Sequence, residues 1–158
     1  SASNLAFATT AMSLAMIAGT FAYGPMDRIF GTRKWIIFIG SSVSLVSLIC
    51  LALLNEISFA VSVILFCTLG FFGMSYPLMI AHGRSFSPEN LTGRCVTLLN
   101  MFAIGGVGIF QFLTGRIFSK LTEVHNNNHE AYTIIFLFYA SALFLGLILY
   151  LKSKDRLD

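Results

Sequence analysis

The sequence predicts an all-α membrane protein built from five transmembrane helices. Three observations carry that expectation. Hydrophobic residues make up 56% of the 158 residues and charged residues only 11%, against roughly 45–50% and 25% in an ordinary soluble domain. Asp, Glu, Lys and Arg are absent from five long runs, 1–26, 35–55, 57–83, 95–115 and 131–151. Each run holds the about 20 residues with which a helix crosses a hydrocarbon core roughly 30 Å thick. The runs do not alternate between polar and apolar residues, as the strands of a membrane barrel would. A disordered chain is excluded as well, because such chains are polar and rich in charge. The ten basic residues and net charge of +3 are too few for the basic stripe of a nucleic-acid binder. The lipid bilayer is the expected partner, and the 16 phenylalanines suit a surface that faces lipid.

The elements follow in order. The first helix is expected over 4–23, stopped by Gly24 and Pro25. No basic residue precedes it, so it reads as a span and not as a signal peptide. The opening Ser1-Ala2-Ser3 has no initiator methionine, which fits either a cloning remnant or a chain cut from something longer. The second helix is expected over 35–54 and the third over 57–79. The short turn Asn55-Glu56 between them makes these two antiparallel neighbours. In the next loop, Ser87-Pro88-Glu89-Asn90 resembles a helix start, with Ser87 as N-cap and Pro88 in the first helical position. A short helix along the membrane surface is expected there. The fourth helix is expected over 95–118. The loop 119–130 contains Asn126-Asn127-Asn128 and is expected to be flexible and exposed. The fifth helix is expected over 131–151.

Basic residues in short loops orient such spans. Arg28, Arg33 and Lys34 follow the first helix, Arg84 and Arg94 follow the third, and Lys152, Lys154 and Arg156 follow the fifth. Eight of the ten basic residues therefore fall on one side, with Arg116 and Lys120 on the other. The rule puts the start of the chain outside and its end in the cytoplasm. A chain that starts outside with an unanchored helix is simplest to explain by one helix missing upstream. The sequon Asn90-Leu91-Thr92 then lies inside, where it is expected to go unused.

One loop carries more than topology. Gly24-Pro25-Met26-Asp27-Arg28-Ile29-Phe30-Gly31-Thr32-Arg33-Lys34 places an acid among bases at the membrane surface. Gly31 permits a backbone conformation closed to other residues. Asp27 is cheap there if a helix N-terminus or a neighbouring base holds it, and costly if drawn into hydrocarbon. Asp27, Arg28, Gly31 and Arg33 are the candidate conformational latch, made in one state and broken in another. The alternative is a solvated charged turn that only fixes topology.

This segment resembles the inner loop of the major facilitator superfamily: a glycine, an Asp-Arg pair, then a glycine and a basic cluster. A second match follows. Gly93-Arg94-Cys95-Val96-Thr97-Leu98-Leu99-Asn100 opens a helix that continues Ile104-Gly105-Gly106-Val107-Gly108 and ends Gly115-Arg116, after a proline-bearing loop. This resembles the fifth helix of a six-helix half of that family. The resemblance implies a partial half-bundle, helices eight to twelve of a twelve-helix transporter, seen without its first helix and without the N-terminal half of the same polypeptide. It also implies a bacterial inner membrane, where the family is common.

Polar groups within the spans supply candidates for a substrate site. Asn100 and Gln111 are 11 residues apart and point within about 20° of one another on a helix. Such groups face a bundle interior or cavity, or only bond across helices. Since the family's fourth and fifth helices line its cavity, the resemblance implies substrate contact for Asn100 and Gln111. Tyr76, near the end of the third helix, and Thr68, two turns above, are further substrate candidates. Tyr76 also reads as an interfacial anchor. His82 is expected at the inner membrane surface, a weak place for a proton relay. Gly70, Gly73, Gly105, Gly106 and Gly108 are expected to let helices pack closely.

No catalytic residue, metal site or cofactor is expected. Cys50, Cys67 and Cys95 fit no metal or redox spacing. No Ser–His–Asp grouping points to an enzyme. The resemblance implies a secondary active or facilitative transporter of a small organic solute, working by alternating access. Arg116 slightly favours an organic anion, although it also fits simple snorkelling. No acid lies inside a span, so a proton relay would have to lie elsewhere. The alternative reading is a non-transporting five-span scaffold that forms a homo-oligomer.

Overall fold

The computed structural model describes residues 2–54, 58–125 and 128–157. All elements among them are helical: α1 (Ala2–Phe30), α2 (Lys34–Leu53), α3 (Phe59–Gly73), α4 (Tyr76–Arg84), α5 (Thr92–His125) and α6 (Asn128–Leu151), with one 3₁₀ turn (Glu89–Leu91) before α5. Five helical stretches are long and apolar enough to cross a membrane, with α3 and α4 forming one of them. The chain is an all-α protein of five membrane-length helices, as its charge-free runs predict.

Four boundaries differ from expectation, each for a local reason. α1 does not stop at Gly24-Pro25 but continues to Phe30. A proline removes one helical N–H bond, and here the rest of the ladder holds. The helix ends instead at Gly31, which has φ +64° and donates its amide to the Asp27 carbonyl at 3.0 Å. This is the left-handed helix end that glycine adopts without a Cβ penalty. The third span is not continuous. Met74 and Ser75 close tight turns onto Phe71 and Phe72, both at 3.3 Å, and α4 restarts with Pro77 in its first turn. Proline cannot donate to the preceding turn and disfavours helix in the residue before it.

Ser87 does not cap a helix. Its hydroxyl bonds the Pro88 carbonyl at 3.3 Å, and the expected surface helix shrinks to one 3₁₀ turn that leads into α5. The loop expected over 119–130 is largely helix, because α5 runs on to His125 and α6 begins at Asn128. The turn Asn55-Glu56 and the pair Asn126-Asn127 lie outside the described residues.

α1 packs on α3, α2 on both α3 and α6, and α5 on α4 and α6. α2 is the central helix. Its buried residues Ile37, Gly40, Ser44, Ser47 and Leu51 recur at alternating steps of three and four. That spacing makes one continuous stripe down a helix, and its small members allow close approach. α5 turns Met101, Phe102, Ile104, Val107 and Phe112 outward, a composition that suits lipid or another apolar surface. A compact core of Tyr23, Ile37 and Leu78, backed by Met26, Phe72 and Tyr150, sits at the end of the bundle where the charged segments gather.

Candidate functional site

That end is built from three segments far apart in sequence: the loop 31–33, the end of α4, and residues 152–157 after α6. Gly31 turns the chain back so that Arg33 faces the last turn of α1. Arg33 Nε lies 2.9 Å from Asp27 Oδ2, with both side chains nearly buried at 9% and 14% exposed. Arg33 Nη1 also donates to the Leu157 carbonyl. Of the two possible holders for Asp27, the neighbouring base takes it and not a helix N-terminus. Arg28 points elsewhere. It is exposed and, with Arg84, Asp27 and Arg33, lines an open cleft of about 650 Å³.

The segment after α6 closes over this pair. Asp155 Oδ1 accepts from the backbone amides of Arg33 at 3.2 Å and Lys34 at 3.0 Å, while Oδ2 accepts from the Thr32 hydroxyl. Lys34 Nζ donates to the carbonyls of Leu151 and Ser153, both at 2.7 Å. Arg156 reaches the Ser85 carbonyl at 3.4 Å and lies over the Phe86 ring at 5.2 Å. Burial alone would raise the Asp155 pKa. The hydrogen bonds from Thr32, Lys34 and Arg33 and the nearby His82 outweigh it, so the carboxyl is held below the usual aspartate range.

His82 lies beneath the segment and is only 2% exposed. Its Nε2 is 3.0 Å from the Lys154 carbonyl and its Nδ1 is 2.7 Å from the Tyr150 hydroxyl. A carbonyl only accepts, so Nε2 carries a proton and donates. Nδ1 and the Tyr150 hydroxyl bond each other, so both ring nitrogens have a partner. His82 stands at the charged end of the bundle, where its buried side chain bridges α4, α6 and the segment 152–157.

The substrate candidates separate into groups. The Tyr76 hydroxyl donates to Asn100 Oδ1, joining α4 to α5. Gln111 lies in a second cleft of about 630 Å³ with Phe112, Arg116 and Lys120. Along α5 it stands about 16 Å from Asn100, too far for one small solute to touch both through short side chains. Arg116 lies over the Phe112 ring at 5.6 Å. Thr68 bonds the Ile64 carbonyl on its own helix at 2.8 Å.

Among the expected packing glycines, only Gly70 has a close neighbour. A Cβ there would meet the Met12 carbonyl oxygen at 3.0 Å. Gly73, Gly105, Gly106 and Gly108 have no described atom within 4 Å of a Cβ position, so they pack no helix pair among the described residues. Close approach occurs instead at Gly19 against the Phe71 backbone, and at Gly83, where a Cβ would stand 2.7 Å from Leu99 Cδ1. Among the described residues no group of three His, Cys, Asp or Glu side chains is placed to hold a metal, and the three cysteines are free.

Sequence reading missed Thr32, Lys34, Tyr150 and Asp155 as members of this site. Lys34 and the bases after α6 enter it only as topology charges. The one available signal is an acid, Asp155, set within an otherwise basic segment.

Five membrane-length helices with an ion-paired loop at one end define a multi-pass membrane protein. The sequence profile of the Major Facilitator Superfamily matches residues 1–157. The chain belongs to that superfamily, a family of transporters and not of enzymes. No curated protein and no solved structure matches the chain.

Proposed function

We propose that this chain is part of a secondary active or facilitative transporter that moves a small organic solute by alternating access, with Asp27 and Arg33 as its conformational latch. The observation that carries this reading is the nearly buried Asp27–Arg33 ion pair, 2.9 Å long, which ties the last turn of α1 to the start of α2. An ion pair at a membrane surface can be exchanged for water on opening, whereas one locked in hydrocarbon cannot. Arg28 lines the cleft beside the pair and acts there as a loop charge rather than as the partner of Asp27.

The end that carries the latch faces the cytoplasm in this reading, because eight of the ten basic residues belong to it. The outward face of α5 meets the other half of the transporter, and Gly105, Gly106 and Gly108 allow close approach there. Tyr76 and Asn100 then offer the solute a hydroxyl and an amide at one place. Gln111 and Arg116 form a separate polar cleft that favours an organic anion at the outer mouth. A bacterial inner membrane is the proposed setting.

The test is uptake by proteoliposomes holding the complete transporter, paired with equilibrium binding of the transported solute. Asp27→Ala should slow turnover more than it weakens binding. Equal turnover and equal binding would sink the latch.

A further inference from the structure

The Asp27–Arg33 pair does not account for the contacts of residues 152–157. At the start of α2 the Arg33 side chain caps nothing and the first turn holds no acid; the local acceptor is the neutral Thr32 hydroxyl, which takes the Trp35 amide at 3.4 Å. The exposed amides and positive dipole of a helix start call for an acceptor of negative charge. Asp155 supplies it from 121 residues away. One carboxylate thereby gathers the Thr32 hydroxyl and the amides of Arg33 and Lys34, which fixes the backbone from which the Arg33 side chain leaves. The same segment touches the guanidinium itself through the Leu157 carbonyl. It is held in turn by His82, Arg156 and Lys34.

We infer that Asp155 is a positioning residue for the latch: it anchors residues 152–157 as a strap over the loop, and the strap sets Arg33 against Asp27. Release of the strap frees Arg33 and opens the latch without any change at Asp27. The inference rests on the latch reading above. Asp155 acts through Arg33 and touches no solute.

The test uses the full chain in lipid nanodiscs and follows two kinds of proton by NMR exchange. The backbone amides of Arg33 and Lys34 report the helix cap, and the side-chain Nε–H of Arg33 reports its pairing with Asp27. Asp155→Ala should speed exchange of the two amides about fivefold, the loss expected for a helix N-cap, and should speed the Arg33 Nε–H as well. Asp155→Glu, one methylene longer, should recover most of the protection of both. Amides in the interior of α3 and α5 should be unchanged, which controls for global unfolding.

Faster amides with an unchanged Nε–H would mean that Asp155 is only a cap, and would overturn the positioning role. No change in either would show that the strap is not docked, and would overturn it too. If Asp155→Ala fails to fold, Asp155→Asn keeps one acceptor oxygen and should give an intermediate acceleration of both protons. Failure of the latch reading itself would look different: the Nε–H would respond to Asp155→Ala as expected, while Asp27→Ala left transport untouched.

Discussion

Lys34 and Asp155 exchange helix caps. The Asp155 carboxylate accepts the Lys34 amide at the start of α2, and the Lys34 ammonium donates to the Leu151 and Ser153 carbonyls at the end of α6. A negative group meets a positive helix end and a positive group meets a negative one. α2 and α6 also pack along their lengths, so the two caps fasten one end of a helix pair that is already in contact.

Breaking the ion pair leaves the nearly buried Arg33 guanidinium without its carboxylate partner at Asp27. Asp27→Asn should weaken the loop by about 2 kcal/mol, the size of a hydrogen bond to a charged group. Thermal unfolding of the chain in nanodiscs checks this, and an unchanged midpoint would show that Arg33 finds full compensation elsewhere.

The strap should let go in acid. The Asp155 carboxyl titrates below the usual aspartate value, so its contribution is complete above the unfolded pKa of about 3.9. It is lost as pH falls through the lower folded value. Trp35 is the single tryptophan of the chain, and its ring lies 5.5 Å from Lys34 Nζ. Its fluorescence should stay constant from pH 7 to about 4 and change only below the ordinary aspartate range. A midpoint above that range would contradict the assignment to Asp155.

Tyr76 and Asn100 should behave as a pair. Tyr76→Phe and Asn100→Ala each remove the bond between α4 and α5. A double-mutant cycle on stability should give a coupling of about 0.6 kcal/mol, typical of hydrogen bonds between membrane helices. In uptake assays both variants should raise KM if the pair meets the solute. A coupling of zero with unchanged KM would dismiss both roles.

Glycine substitutions should sort by position. A methyl group at Gly19 would run into the Phe71 backbone, whereas one at Gly105 meets nothing within 4 Å. Gly19→Ala should destabilise the chain by about 1–3 kcal/mol through overpacking. Gly105→Ala should be neutral or slightly stabilising in this chain, since alanine favours helix. Unfolding midpoints of the two variants under one condition settle the contrast.

The existence of the five apolar helices was legible because hydrocarbon demands an unbroken charge-free run, and such runs are visible residue by residue. Helix ends were less legible. Pro25 and Pro77 look alike in sequence, yet α1 passes through the first while the third span breaks beside the second. The Asp27–Arg33 pair could be anticipated because the two residues stand six apart across a glycine turn. Asp155 could not, since its partners lie more than 120 residues away and only the packing of α2 on α6 brings them together. Tyr76 and Asn100 were each visible as polar groups in apolar runs. Their contact depends on the packing of α4 on α5, which no local pattern records.

The break at Met74 and Ser75 leaves α4 as a nine-residue rod with Tyr76 near one end and His82 near the other. The two residues are about 9 Å apart along the axis, with no joint between them. One end of the rod holds the segment after α6 through the Lys154 carbonyl, and the other holds Asn100. Any tilt of α4 would therefore disturb the Asn100 contact and the Lys154 contact together.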